Sequence, residues 1–253
     1  MVDIHSHVLP GLDDGARTIE ESLEMLRLAA ASGTTDIVAT PHANSEFAFD
    51  DERVRSIFRE VSHLSEGFIR LYLGCDFHLS YDNLLQAIQN PGRFTINQGR
   101  YLMLELPDIV SPSTVRTALG QLLNARIVPI ITHPERNESI QGNFSEIKAW
   151  REQGCFLQIT GQSLLGRFGL AAQSAAQRLL SSGLADFVAS DAHDCFDRSP
   201  ELSSAYEIVR SRYGSRRAVE VFIENPTAII SDELIYPKKS MWKQRFGFGR
   251  FMK

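Results

Sequence analysis

The chain has 253 residues, 43% hydrophobic and 23% charged, with a net charge of −5; this suits one large barrel-like domain or two small ones and excludes a disordered chain. No apolar run approaches the roughly 18 residues that span a bilayer and no basic, apolar leader opens the sequence, so a cytoplasmic protein is expected. Cys75, Cys155 and Cys195 are too few and too scattered for a disulfide framework, and an acidic body argues against nucleic acid as a partner.

Seven short apolar runs alternate with helical patterns, the order of an α/β fold. The first, "VDIHSH", carries His5 and His7 two residues apart, so on a strand both imidazoles face one side and can grip one cation. "GLDDGA" follows, where Asp13 and Asp14 read either as a solvated turn or as ligands. The first helix is predicted from the capping-box spacing of Thr18 and Glu21, an apolar stripe of Ile19, Leu23, Leu26 and Ala30, and Gly33 as its stop.

The next runs are "TDIVATPH" ending in His42, "IRLYLGCDFH" with Asp76 and His78, "YLMLELP" with Glu105, and "RIVPIITHPER" with His133. "CFLQIT" ends in no ligand, "GRFG" (Gly166 to Gly169) reads as a turn before a helix, and "DFVASDAH" repeats the two-residue spacing with Asp191 and His193. Six of seven strand-like runs thus end in His, Asp or Glu. In a parallel barrel the strand C-termini converge on one face, where these residues would form a dense metal cluster. His78 reads as an exposed histidine or as support for Asp76 on the same strand face.

These strings resemble the polymerase and histidinol phosphatase (PHP) superfamily and, within it, the CpsB/CapC group of bacterial tyrosine-protein phosphatases. The resemblance rests on "DIHSHVLPGLDDGA", "ATPH", "LELP", "THPERN", "QITGQSLLGRFG" and "FVASDAH" in that order. It implies a distorted seven-stranded, TIM-like β/α barrel over residues 1–236, with the metal site at the C-terminal ends of the strands and a basic aromatic tail at 237–253. It also implies three divalent metal ions, manganese by the usual description of the group, with Fe or Zn as alternatives. The first would use His5, His7, Asp76 and Asp191; the second Asp76, Glu105 and His133; the third Asp14, His42 and His193. Where this chain has Asp76 the family commonly has Glu, a longer side chain for bridging two metals.

Three divalent cations against Asp14, Asp76, Glu105 and Asp191 leave a formal charge of about +2, which attracts a phosphate monoester and suits hydrolysis by metal-activated water. Arg136 and Arg198 lie beside ligand segments, and a guanidinium pairs with phosphate in two-pronged fashion. Their alternative is ion pairing with Glu135 or Asp197. The phenol of phosphotyrosine leaves with a pKa of about 10, so it needs little acid help; a metal-held water or His42 would supply any proton. A cysteine-dependent phosphatase is excluded, because Tyr81, Gly161 and Glu201 stand where its arginine should follow Cys75, Cys155 and Cys195.

The resemblance implies as substrate an autophosphorylated bacterial tyrosine kinase controlling capsule or exopolysaccharide synthesis at the inner face of the cytoplasmic membrane. Two alternatives are a PHP phosphoesterase of a small metabolite such as histidinol phosphate, and a non-catalytic, metal-stabilised phosphotyrosine-recognition module. The tail carries six Lys/Arg and no acid, with Trp242, Phe246, Phe248 and Phe251 interleaved. That composition suits weak peripheral contact with an anionic membrane, or a solvated tail.

Overall fold

A computed structural model describes residues 1–236. The basic aromatic tail expected at 237–253 lies outside the described residues. The described residues form nine strands: β1 (Val2–Ser6), β2 (Asp36–Ala39), β3 (His42–Ala43), β4 (Arg70–Leu73), β5 (Asp76–His78), β6 (Tyr101–Glu105), β7 (Val128–Thr132), β8 (Phe156–Thr160) and β9 (Phe187–Ala189). Around them run α1 (Ile19–Ala31), α2 (Asp51–Leu64), α3 (Tyr81–Gln89), α4 (Pro112–Asn124), α5 (Phe144–Gln153), α6 (Gly161–Leu164) and α7 (Gly169–Ser181). The helical layer ends with α8 (Ser203–Tyr213), α9 (Ser215–Val219) and α10 (Asn225–Ile230). No described helix is long and apolar enough to cross a membrane.

All strand pairs are parallel, in ladders ordered β1-β2-β4 and β3-β5-β6-β7-β8-β9. Every predicted run becomes a strand, but two of them are each broken in two. One break falls at Thr40-Pro41, where proline has no N–H for the ladder. The other falls at Gly74-Cys75, where a Cβ on Gly74 would meet Ile96 and Val38 side-chain carbons at 3.1 Å. The ring closes at the upper ends of β9 and β1, where Ser6 bridges Ala192 and the His7 N–H donates to the Ala192 carbonyl at 2.8 Å.

Alternation along the strands makes two apolar layers. Leu102, Leu104, Ile131, Leu157 and Val188 join the outer core with helix residues such as Leu26, Leu119 and Leu179. Tyr101, Met103, Ile130, Phe156 and Phe187 fill the interior, packed with Ile96, Ile229 and Ile230. One or two steps of the same alternation then carry Glu105, Gln158 and Asp191 above this inner core. α1 is capped as expected, Thr18 accepting from the Glu21 N–H, and Gly33 takes φ +91°. Its buried face is Ser22, Met25, Leu26 and Ala29. The predicted stripe is therefore rotated by about one residue, because the small Ser22 and Ala29 side chains permit close approach to the core.

Candidate metal centre

All nine predicted ligands converge at the C-terminal ends of the strands. Their donor atoms form four groups, each mutually within 4.8 Å: His7, Asp14, His42 and His193; His5, His7 and Asp76; His5, His133 and Asp191; and His42, Asp76 and Glu105. His5, His7, Asp76 and Asp191 are fully buried, while the Asp14 side chain is 49% exposed at the mouth. Asp76 belongs to two groups despite its short side chain, with Oδ2 3.4 Å from both His5 Nε2 and His42 Nδ1. His133 stands beside His5 and Asp191 as well as Glu105, whose Oε1 is 3.8 Å from its Nε2.

Three histidines are aimed by their other nitrogen. His5 Nδ1 donates to Gln158 Oε1 at 3.0 Å, His7 Nδ1 to Asp13 Oδ2 at 2.7 Å, and His193 Nδ1 to the Asp191 carbonyl at 3.0 Å. Each Nε2 is thereby turned toward cluster carboxylates with its lone pair free for a cation. Two of the predicted ligands are held with left-handed backbone, His133 at φ +31° and Asp191 at φ +52°, a strain of the kind that functional sites retain.

Sequence reading passed over two of these orienting groups. Asp13, read as a turn residue or a ligand and not as an orienting group, has a buried side chain and also accepts from the backbone N–H groups of Gly15 and His42 at 3.0 Å. Gln158 sits in the one predicted run that ends in no ligand, "CFLQIT", and a polar residue in the middle of that apolar run was its available signal. His78 is half-buried rather than exposed, with Nδ1 3.3 Å from Glu105 Oε2. Arg136 and Arg198 pair with neither Glu135 nor Asp197. Both reach Asp191 Oδ2, Arg198 Nη2 at 2.7 Å. Glu135 instead turns inward and accepts from the Thr160 N–H and the Ser163 hydroxyl at 2.8 and 2.7 Å.

The electrostatics favour positive charge inside the cluster. Burial pushes His7 down, but Asp13 and Asp191 more than offset it and raise the imidazole to about 10. Burial likewise opposes charge on His5, but Asp76 and Asp191 outweigh it and raise the ring; Asp76 lies below the usual carboxylate range because the histidines around it outweigh burial, and Asp191 because His5, His7, Arg198 and Arg136 do. His133 goes the other way, lowered to about 4 by burial and the neighbouring Arg136.

The residues fit divalent cations. Buried Asp76 Oδ2 and His42 Nδ1 have no hydrogen-bond partner. Contacts of 3.4 Å for His5–Asp76, His42–Asp76 and His193–Asp14 are long for hydrogen bonds. Yet two atoms each about 2.1 Å from one ion sit roughly 3 to 3.5 Å apart. Mixed imidazole and carboxylate donors suit Mn, Fe or Zn.

Comparison with known proteins points the same way. The family described as capsular polysaccharide synthesis, CpsB/CapC, matches residues 1–231. The chain belongs to the CpsB/CapC family. It is 33% identical to the putative tyrosine-protein phosphatase CapC of Staphylococcus aureus, over 98% of this chain and 99% of the relative. It is 31% identical to the tyrosine-protein phosphatase YwqE of Bacillus subtilis, over 98% of this chain and all of the relative. Crystal structures of YwqE from B. subtilis and CpsB from Streptococcus pneumoniae, described as unique metal-dependent tyrosine phosphatases, match with a TM-score of 0.88 at 28% identity, over 95% of this chain and 98% of the matched one. A lactonase from Listeria monocytogenes shares the fold alone, with a TM-score of 0.58 at 12% identity over 92% of this chain. In this CpsB/CapC chain the nine predicted ligands gather at one end of the strands, with Asp13 and Gln158 hydrogen-bonded to two of the histidines among them.

Proposed function

We propose that this chain is a metal-dependent tyrosine-protein phosphatase that hydrolyses phosphotyrosine on a bacterial protein-tyrosine kinase controlling capsule or exopolysaccharide synthesis. The observation that carries the reading is the convergence of nine His and carboxylate side chains from separate strand ends, flanked by two arginines, in a CpsB/CapC chain. His5, His7, Asp76 and Asp191 would hold one cation, Asp76, Glu105 and His133 a second, and Asp14, His42 and His193 a third, with manganese as the expected metal. Bound divalent cations supply the activated water and the charge neutralisation that phosphate monoester hydrolysis requires.

The chain's own groups do the rest. Arg136 and Arg198, a quarter exposed at the mouth, bind the phosphate oxygens and orient the ester for in-line attack. Asp13, Gln158 and the Asp191 carbonyl hold the Nδ1 protons of His7, His5 and His193, fixing the ring tautomers. Both nitrogens of His42 face carboxylates, Nδ1 toward Asp76 and Nε2 toward Asp14 at 3.5 Å. This makes it a ligand first and a proton donor to the phenolate second, a step that a leaving group of pKa about 10 scarcely needs.

The test is metal content and activity after EDTA stripping and Mn readdition, with a phosphotyrosyl kinase peptide and histidinol phosphate assayed side by side. Loss on stripping, recovery with Mn and preference for the phosphotyrosyl peptide are expected. Activity that survives complete stripping overturns the mechanism, and a strong preference for histidinol phosphate overturns the substrate.

A further inference from the structure

The two mouth arginines are held in different ways. Arg198 takes its position from its own loop: its carbonyl accepts from the His193 N–H at 2.8 Å, and its N–H donates to Asp194 at 3.2 Å. Arg136 comes from the β7–α5 loop, and the second contact of its guanidinium is with another segment. Its central carbon lies 4.3 Å from the centre of the Phe168 ring, within the range of a cation–π contact.

Phe168 belongs to the "GRFG" turn, and that turn is built to present it. Gly166 and Gly169 take φ of +81° and +87° on either side, conformations that cost glycine little. The turn is closed by hydrogen bonds from the Gly166 N–H to the Ser163 carbonyl and from the Arg167 N–H to the Gln162 carbonyl, both at 3.1 Å. The residue beside Arg136, Glu135, accepts from the Thr160 N–H and the Ser163 hydroxyl, five residues before Phe168. One buried carboxylate thus fastens the loop that carries the guanidinium to the segment that carries the ring.

We propose that Phe168 is the positioning residue for Arg136, holding its guanidinium at the mouth for the phosphate of the substrate; this rests on the phosphatase reading above. An arginine tied only to Asp191 would have to follow that carboxylate as it engages a cation. The ring gives Arg136 an uncharged anchor that does not compete for Asp191, so the guanidinium stays placed when its carboxylate partner is drawn to metal. Glu135 sets the distance between the two loops and touches no substrate.

The experiment compares F168L, which keeps apolar bulk without the π face, with F168W, which keeps it, each in the wild-type and R136A backgrounds. Three quantities are read: calorimetric affinity for inorganic phosphate and the split of KM and kcat on an aryl phosphate with the Mn-loaded protein, and ring-current shifts of the Arg136 side-chain NMR signals with the protein loaded with diamagnetic Zn. F168L is expected to abolish the ring-current shift and to weaken phosphate binding about 3- to 30-fold. KM should rise with kcat within about twofold, as for lost uniform binding. F168W should restore affinity, and F168L should add nothing to R136A. Unchanged phosphate affinity in F168L, failed rescue by tryptophan, or an undiminished loss in the R136A background would overturn the role. A loaded wild-type protein that neither binds phosphate nor hydrolyses aryl phosphates overturns the phosphatase reading itself, and this role with it.

Discussion

At the N-terminal ends of the strands, carboxylates meet arginines at hydrogen-bonding distance. Asp36 accepts from Arg70 Nε and Nη2 at 2.6 and 2.8 Å, Asp232 from Arg100 Nε and Nη2 at 3.1 Å, and Asp186 from Arg151 and the Leu157 N–H. At the C-terminal ends, Asp14, Asp76, Glu105 and Asp191 face histidines at 3.3–3.8 Å, Asp191 alone of the four also accepting from arginines, and six of the chain's seven histidines gather there, only His63 lying elsewhere. One end is closed by pairs that complete each other. The other is an array of ligand atoms spaced for cations, with the charge balance left to them. The same fold therefore separates structure from chemistry along its axis, as parallel barrels do.

The contrast breaks most sharply at Asp191, which sits in one of the ligand groups and anchors both arginines. Asp191→Ala is expected to lower kcat/KM for an aryl phosphate on the order of 10²–10³-fold or more, with lower bound Mn by elemental analysis. Full activity with full metal would remove the cluster from the mechanism. A step outward, Asp13→Ala frees the His7 ring and should cost about 10- to 100-fold in metal affinity or activity. Titrating activity against Mn would separate the two effects, and wild-type behaviour would reduce Asp13 to the turn residue it resembles in the sequence.

Glu135 gives an effect on stability with a definite pH sign. Burial raises its carboxyl to about 7, above the usual value near 4.5. Between these pH values the native protein holds a proton that the unfolded chain has lost, so its contribution to stability falls as pH rises from about 4.5 to 7. Glu135→Gln keeps an acceptor for Thr160 and Ser163 and cannot ionise. In denaturant melts of EDTA-stripped protein it should exceed the wild type by about 1–3 kcal/mol at pH 8 and match it near pH 4.5. Parallel pH profiles would show that Glu135 titrates normally.

The smallest effect is expected at the paired end. Arg70 is 71% exposed, so Asp36→Asn should cost no more than about 1 kcal/mol, seen as about 1–4 °C in melting temperature. Activity should stay unchanged, and a loss comparable to that of Asp13→Ala would erase the distinction between the two ends.

Much of this was legible because the predicted ligands stand at strand ends. Period-two spacing placed His5 with His7 and Asp191 with His193, and the recurrence of ligand residues after apolar runs indicated the shared face. The breaks at Pro41 and Gly74 were less readable, since a short pause in a ladder does not interrupt hydrophobicity. The α1 stripe slipped by one residue because small side chains, not only apolar ones, decide how a helix seats. Asp13 and Gln158 were hidden for a different reason. An orienting hydrogen bond depends on where a partner ring lies, and Gln158 is 153 positions from His5.

By itself the sequence determined the alternation of strand and helix, the ligand types and the order in which they meet the metal face. These follow from local periodicity, capping and residue chemistry, which need no knowledge of the rest of the chain. Only the tertiary structure decided which ligands share a group, that Asp76 stands in two of them, and that Arg136 and Arg198 converge on Asp191. It also set Phe168 against Arg136. Those outcomes depend on the register and closure of the strand ring, which bring residues far apart in sequence within a few ångströms.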